Sequence, residues 1–258
     1  MGNTTLNMEQ GHWILAKMGK KVLRPGGKKL TTKLIENLKF TSEDDIVEFA
    51  PGLGFTASIA LKSNPKTYTG IELNEEAAGI LRKTINGNGK KIIIGNAAES
   101  TLQDNSSNKV YGEAMLTMQA DHRKSEIIKE AYRILRKGGL YGIHELGLEP
   151  INIPEAEKAQ IQRELSEVIK VNARPLTLHE WSDLLEKEGF VVINTETNAM
   201  SLLEIKRMID DEGFFRTLKI GFNILTHAKA RKKILAMRKV FRKYQHNLNA
   251  ISIVAEKR

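Results

Sequence analysis

There is no cysteine among the 258 residues, which removes disulfides, thiolate nucleophiles and cysteine-ligated metal from consideration. No apolar run approaches the roughly 20 residues that a membrane-spanning helix needs. The opening stretch, MGNTTLNMEQ, lacks the basic-then-apolar order of a secretory signal, so a cytoplasmic location is expected. Low-complexity tracts and internal repeats are also missing. With hydrophobic residues at 41% and charged residues at 28%, the chain has the composition of one globular domain with room for an appended lid.

Acidic residues are scarce in one region only. Residues 201–258 hold 14 Lys/Arg against 5 Asp/Glu, which accounts for the whole net charge of +9; residues 1–200 hold 26 of each. The basic character therefore belongs to the C-terminal part. A smaller basic cluster, Lys17 to Lys33, is balanced by acids further on.

Short apolar runs alternate with amphipathic stretches, which predicts βα units and a largely parallel sheet. The first forty residues read as a helical preamble broken at Arg24-Pro25-Gly26-Gly27, followed by a helix with Leu30, Leu34 and Leu38 on one face. Strands are expected at about 46–50, 67–72, 91–94 and 109–113. SEIIKEAYRILRKGG is a helix that Gly138-Gly139 is expected to end, and LYGIHEL is the fifth strand. Thr177 and Glu180 form a capping-box pattern, and Ser201 and Glu204 repeat it. FVVINTET is a sixth strand, about fifty helical and basic residues follow, and Ile251-Ser252-Ile253-Val254 closes the chain as a last strand. The expected division is an N-terminal helical cap over 1–40, a main domain over 41–200, a basic helical insertion over 201–249 and a final strand over 250–258.

The stretch VEFAPGLGFTA, residues 47–57, is a strand running into a glycine turn and a helix. Such a turn brings backbone close to a ligand, and the helix start favours negative charge. That suits a dinucleotide pyrophosphate or the carboxypropyl end of S-adenosylmethionine equally well. Glu72, 18 residues after Gly54, can accept bonds from ribose hydroxyls of either ligand.

Five segments in order separate the two. VEFAPGLG, TGIELNEEA, GNAAES, KVYGEAMLTMQ and AYRILRKGGLYGIHEL resemble the successive motifs of the class I S-adenosylmethionine-dependent methyltransferases, of the type that methylates small molecules. The resemblance covers roughly residues 30–200 and the last strand. It implies a Rossmann-like α/β fold, a seven-stranded, mostly parallel sheet with helices on both faces, and a helical insertion before the last strand. It implies S-adenosyl-L-methionine as cofactor and no metal. By position, Glu48 would organise the amino end of the cofactor, Ala50, Gly52 and Gly54 would lie against it, and Glu72 would bind the ribose. Leu73, Asn96 and Ala97 would face the adenine, and Glu113 and Met115 would line the methyl-transfer chamber. Ala50 stands where the family has its first glycine, which is tolerable if φ stays negative, and Asn96 replaces the commoner aspartate.

A general base is needed only if the acceptor must lose a proton. His144, Glu145 and His12 are the candidate bases, with Glu113 a further catalytic candidate; strand alternation sends His144 and Glu145 to opposite faces, so at most one of that pair faces the pocket. Trp13 and Arg24 in the preamble are candidate pocket residues. The fourth-strand segment reads GEAM rather than the Asn/Asp-Pro-Pro-aromatic pattern of amino methylation on nucleic acid bases, and the absence of cysteine excludes the covalent route to pyrimidine carbon-5. A small or lipid-like acceptor, hydrophobic or offering thiol or oxygen, leads. An RNA-associated methyltransferase or a non-catalytic binding module using the basic C-terminal helices is the alternative.

In residues 230–244, Ile234, Met237, Val240, Phe241 and Tyr244 form an apolar stripe in an otherwise basic helix. A lid helix with a solvated basic face is the plain explanation. Contact with a membrane surface, making the protein peripheral to the membrane, comes second, and nucleic acid third.

Overall fold

The structure, a computed structural model, describes residues 9–258, so the first eight residues of the expected cap lie outside it. The strands are β1 (Asp45–Phe49), β2 (Thr67–Glu72), β3 (Lys90–Ile94), β4 (Ser107–Glu113), β5 (Leu135–Leu148), β6 (Leu176–Thr177), β7 (Phe190–Ala199) and β8 (Leu248–Lys257). They form one sheet in the order β3-β2-β1-β4-β5-β8-β7, with the two-residue β6 beside β5 as an eighth strand where seven were expected. Among the described strands β8 alone runs against its neighbours. The order reverses at β1 and β4, and a sheet of this kind opens a crevice at such a point above its strand ends.

Alternation along the strands loads both faces of the sheet. Val47, Phe49, Val110, Tyr141, Ile143 and Ile253 face α5 (Asp121–Ile134) and α7 (Leu178–Lys187), where Ile127, Ile128, Trp181 and Leu185 complete a dry cluster. Ile46, Tyr68, Tyr111 and Val254, one register step away, pack with Leu34 and Leu38 of α2 (Gly27–Leu38) and Leu81 of α4 (Glu75–Thr84). α3 (Phe55–Ala60) follows the glycine turn. Thr177 and Glu180 make the expected capping box at the start of α7.

A third apolar cluster belongs to the appended helices: α1 (Gly11–Lys17), α6 (Glu155–Ile169), α8 (Ile205–Glu212), α9 (Phe214–Thr226) and α10 (Ala228–Lys243). α8 to α10 fill the connection between β7 and β8, as the expected insertion does. Ile234, Met237 and Tyr244 of α10 are buried, with Val240 and Phe241 packed beside them, and α10 lies on α6 and α1. The stripe over 230–244 is therefore turned inward, and Leu235 is the large apolar side chain of that helix left exposed.

Two local expectations fail for physical reasons. α5 ends at Ile134, before Gly138-Gly139, because Leu135 turns extended and pairs with Ser107 of β4. Arg136 then leaves the helix to donate to Asp45 at 2.9 Å and Asn108 at 2.7 Å. Ser201 makes no cap for α8; Glu204 is the N-cap residue and has no capping bond. Its carboxylate instead accepts from Arg242 at 2.7 and 2.8 Å and from Arg238 at 3.2 Å. Charge-assisted pairing of this kind is roughly twice as strong as a neutral hydrogen bond.

Candidate active site

The glycine turn leaves β1 by an unexpected route. Ala50 has φ 51°, in the left-handed region, so the negative φ on which an easy fit of alanine depended is not met. A Cβ there costs roughly 1–2 kcal/mol, and the bond from Ala50 N to Ile71 O at 2.8 Å helps hold it. Gly52 (φ 58°) follows, and a Cβ added to it would meet nothing within 4 Å, so this glycine opens onto free space. At Gly54 (φ 80°) an added Cβ would lie 2.8 Å from Leu81 Cδ2, so the second glycine serves helix packing.

Glu72, at the end of β2, ties this turn to the sheet. Its two carboxylate oxygens accept from Gly52 N and from Asn74 N, each at 2.9 Å. Burial pushes its pKa up, and the backbone N–H groups of Asn74, Gly52 and Leu73 oppose that shift. Each oxygen keeps a further lone pair, so the carboxylate can brace the turn and still accept a hydroxyl. Leu73 beside it is exposed.

Glu113 engages four residues. At the end of β4 it is ion-paired with Arg24 and accepts from Thr56. It also accepts from Thr31 Oγ1 at 2.8 Å, and its contact with His144 Nδ1 is 2.7 Å. Burial would raise its pKa, but the guanidinium, the histidine and the threonine overrule it and hold the carboxyl at about 2. A carboxylate so stabilised is a poor proton acceptor at neutral pH. His144 is fully buried, with its other nitrogen 2.7 Å from Pro25 O, and it does not line the cavity. Arg24 lies 5.0 Å over the Phe55 ring, and its bonds to Thr31, Thr56 and Glu113 all leave from Nη1.

Glu48 also lies away from the cavity lining. Its Oε2 accepts from Tyr68 at 2.5 Å and Tyr111 at 2.6 Å, and burial raises its pKa to about 7 in spite of those two donors. Asn96 spends its amide oxygen within its own loop, accepting from Ala98 N at 3.0 Å, and Ala97 packs against the core; neither lines the cavity.

The cavity has a volume of about 290 Å³. Ala50, Gly52, Glu72, Glu113 and Met115 form its floor at the strand ends. Trp13 and His12 of α1, the segment Lys21 to Pro25, Leu165 and Ile169 of α6, Met200, Leu202, and Met237 and Phe241 of α10 enclose it from the other side. Desolvation lowers the pKa of His12 to about 4, so the ring is neutral at pH 7. Of the sequence-derived candidates, Ala50, Gly52, Glu72, Glu113, Met115, His12, Trp13 and Arg24 therefore share one cavity.

Glu145 has a different role from that of a base. Its carboxylate accepts from the backbone N–H of Met115, Leu116 and Thr117 at 2.8–3.0 Å and from Thr117 Oγ1 at 2.7 Å, fixing the loop after β4 under the cavity. Thr31 and Thr56, which anchor Glu113, carry no sequence signal beyond being threonines.

A turn with open backbone, an acid at the end of the second strand and a switch point at β1 and β4 define a nucleoside-cofactor site on a Rossmann-like sheet. Residues 47–143 match the family described as a methyltransferase domain. A Haemophilus influenzae protein described only as uncharacterized is 34% identical over 253 residues, covering 96% of this chain and 98% of that one. A fatty-acid O-methyltransferase of Mycolicibacterium smegmatis is 30% identical over 118 residues, 44% of this chain and 41% of that protein. Among solved structures, the cyclase SpnF superposes with a TM-score of 0.74 at 14% identity, covering 97% of this chain and 94% of that one. Haemonchus contortus phosphoethanolamine N-methyltransferase 2 in complex with S-adenosyl-L-methionine gives 0.72 at 16% identity, covering 96% of this chain and 56% of that one. Residues 47–143 are a methyltransferase domain, and with the shared fold this supports a class I S-adenosylmethionine-dependent methyltransferase: an enzyme whose cofactor is S-adenosyl-L-methionine. No helix among the described residues is long and apolar enough to cross a membrane.

Proposed function

We propose that the protein transfers a methyl group to an oxygen of a small acceptor with an apolar body, a carboxylate carried on a hydrocarbon chain being the leading case. One observation carries this: a single cavity joins the polar strand ends to a roof of Leu165, Ile169, Met200, Leu202, Met237 and Phe241. The cofactor supplies an activated methyl on a sulfonium sulfur. Gly52, open on its Cβ side, leaves room for the cofactor's methionine end, and Glu72 takes the ribose hydroxyls. Arg24 has Nε and Nη2 outside its bonds to Glu113 and the threonines, and these suit the cofactor carboxylate.

The proton inventory favours a carboxylate acceptor. Glu113 is held ionised by its partners, His144 is enclosed with both nitrogens engaged, and His12 is a weak base with a pKa of about 4. A carboxylate is already nucleophilic at pH 7 and needs no base. Its oxygen lone pair forms the new O–C bond while the S–C bond breaks and that electron pair stays on sulfur. The protein contributes alignment in a dry chamber, with the roof seating the chain and Met115 near the reacting end. The shared stretch with a fatty-acid O-methyltransferase supports the same acceptor class.

The test uses the purified protein, tritiated-methyl S-adenosylmethionine and straight-chain carboxylates of graded length, with thiols, amines and total RNA alongside. Label should appear in an organic-extractable methyl ester. Label confined to RNA or amines would overturn the proposal.

A further inference from the structure

α9 carries an apolar face that nothing in the described structure covers. Phe215 is 85% exposed, and Phe214, Leu218, Phe222 and Leu225 are each more than half exposed. At about 100° per residue these five side chains fall within one sector roughly 100° wide. The opposite side of the helix is anchored: Ile220 is 1% exposed in the roof cluster, and Asn223 Nδ2 donates to Met18 O at 3.0 Å. Packed beside α9, α8 adds exposed Ile205 and Ile209. Five large apolar side chains in one exposed sector mark an interaction surface.

The charge around this face says what covers it. Lys219 borders the sector on α9 itself, while Arg216 lies towards the anchored side, 3.9 Å from Glu212. The helix runs through His227 into a groove lined by Lys17, Lys170, Lys229, Lys232 and Lys233, against Glu9 and Glu167. Of the three acids in α8, Asp211 and Glu212 are turned inward, at 2% and 1% side-chain exposure, and Asp210 alone faces out. Glu212 accepts from Lys21 N and Val22 N, and Asp211 accepts from Lys28 N. A second copy of this chain would bring one basic rim against another, which like-charge repulsion opposes. An anionic bilayer complements both the apolar sector and its rim.

We infer that α9 is a membrane-surface docking helix, seating Phe214, Phe215, Leu218, Phe222 and Leu225 at the headgroup–acyl boundary of an anionic bilayer while the lysine groove takes headgroup phosphates. The placement serves the cavity. Asn223 ties α9 to α1, and Glu212 ties α8 to the segment Lys21–Pro25, both parts of the cavity roof. Docking does not depend on the acceptor proposed above, because vesicle binding is read without turnover.

The full chain is floated with large unilamellar vesicles of phosphatidylcholine alone and of equal parts phosphatidylcholine and phosphatidylglycerol. Binding is expected to the anionic vesicles only, and Phe215→Asp/Phe222→Asp should weaken it at least tenfold. The midpoint of thermal unfolding and cofactor binding should stay as in the parent, since both side chains are exposed. A Phe215→Trp variant should show quenching by brominated acyl chains on anionic vesicles. No binding of the parent to anionic vesicles, or equal binding by the double variant, would overturn the inference. So would concentration-dependent self-association that the double variant abolishes, which would make the face an interface between copies.

Discussion

On the floor of the cavity and just beneath it the polar side chains have partners within the protein: Glu72 holds the glycine turn, Glu145 beneath holds the loop after β4, and Glu113 is surrounded by Arg24, Thr31, Thr56 and His144. Across the cavity, the roof offers leucine, isoleucine, methionine and phenylalanine from α6, α10 and the segment after β7, with few directional bonds. A floor of that kind fixes geometry and suits a ligand that never changes. A roof of apolar side chains fixes volume and polarity and can be recut without disturbing the sheet. Cofactor and acceptor thus place different demands on the same chain.

Removing Arg24 would break the floor most severely. In Arg24→Ala the Glu113 carboxylate loses its guanidinium while remaining buried, which is expected to cost about 3–5 kcal/mol in denaturant unfolding. A pH signature accompanies it. Because Glu113 is held at about 2, below its unfolded value of 4.5, its stabilisation is present above pH 4.5 and lost as pH falls towards 2. The variant should lose most of that acid dependence. Arg24→Ala/Glu113→Gln should recover part of the stability, and full retention of stability by the single variant would show that the pair is not integral to the floor.

Glu48 supplies the opposite slope. Its pKa is raised from 4.5 to about 7, so its stabilising contribution is complete below pH 4.5 and disappears as pH rises through 7. That difference corresponds to about 3 kcal/mol at pH 8 relative to pH 4.5. Glu48→Gln should be more stable than the parent at pH 8 and lose this slope, read as the midpoint of thermal unfolding across pH. An unchanged profile would mean that the carboxyl is not the buried, tyrosine-bonded group described.

The sheet was legible in advance because its signals are local: strand alternation, the turn VEFAPGLG, and the acids Glu72 and Glu113 at strand ends. What sequence did not disclose depends on contacts far apart in the chain. Glu48 resembles a ligand-facing acid until Tyr68 and Tyr111 close around it, and His144 resembles a base until Pro25 and Glu113 occupy its ring. Ala50 reaches a positive φ because the carbonyl of Ile71, on the next strand, holds its N–H. The stripe in 230–244 was correctly seen as apolar, but periodicity alone cannot say whether such a stripe faces a lipid or the protein's own α6.

Gly52 and Gly54 sharpen the comparison within one turn. Gly52→Val places a side chain in the open space proposed for the cofactor and should lower cofactor affinity roughly 100-fold, about 2.7 kcal/mol, by calorimetry. Gly54→Ala meets Leu81 instead and should lower the unfolding midpoint. If Gly52→Val bound the cofactor as the parent does, the cofactor's methionine end would have to lie elsewhere.

The smallest effect belongs to the roof, and it tests whether floor and roof are separable. Phe241 lines the cavity from α10 and is half-buried, so truncating it enlarges the chamber without opening the sheet. Phe241→Ala should leave cofactor affinity unchanged and shift the preferred chain length of a carboxylate acceptor upward. The expected change in kcat/KM ratio between two lengths is about fivefold to tenfold, the low end of the roughly 1–3 kcal/mol that one methylene in an apolar pocket is worth. A fall in cofactor affinity would mean that the roof positions the cofactor as well. A change in cofactor affinity with no change in acceptor preference would reverse the assignment, giving the apolar wall to the cofactor and leaving the acceptor to the polar strand ends.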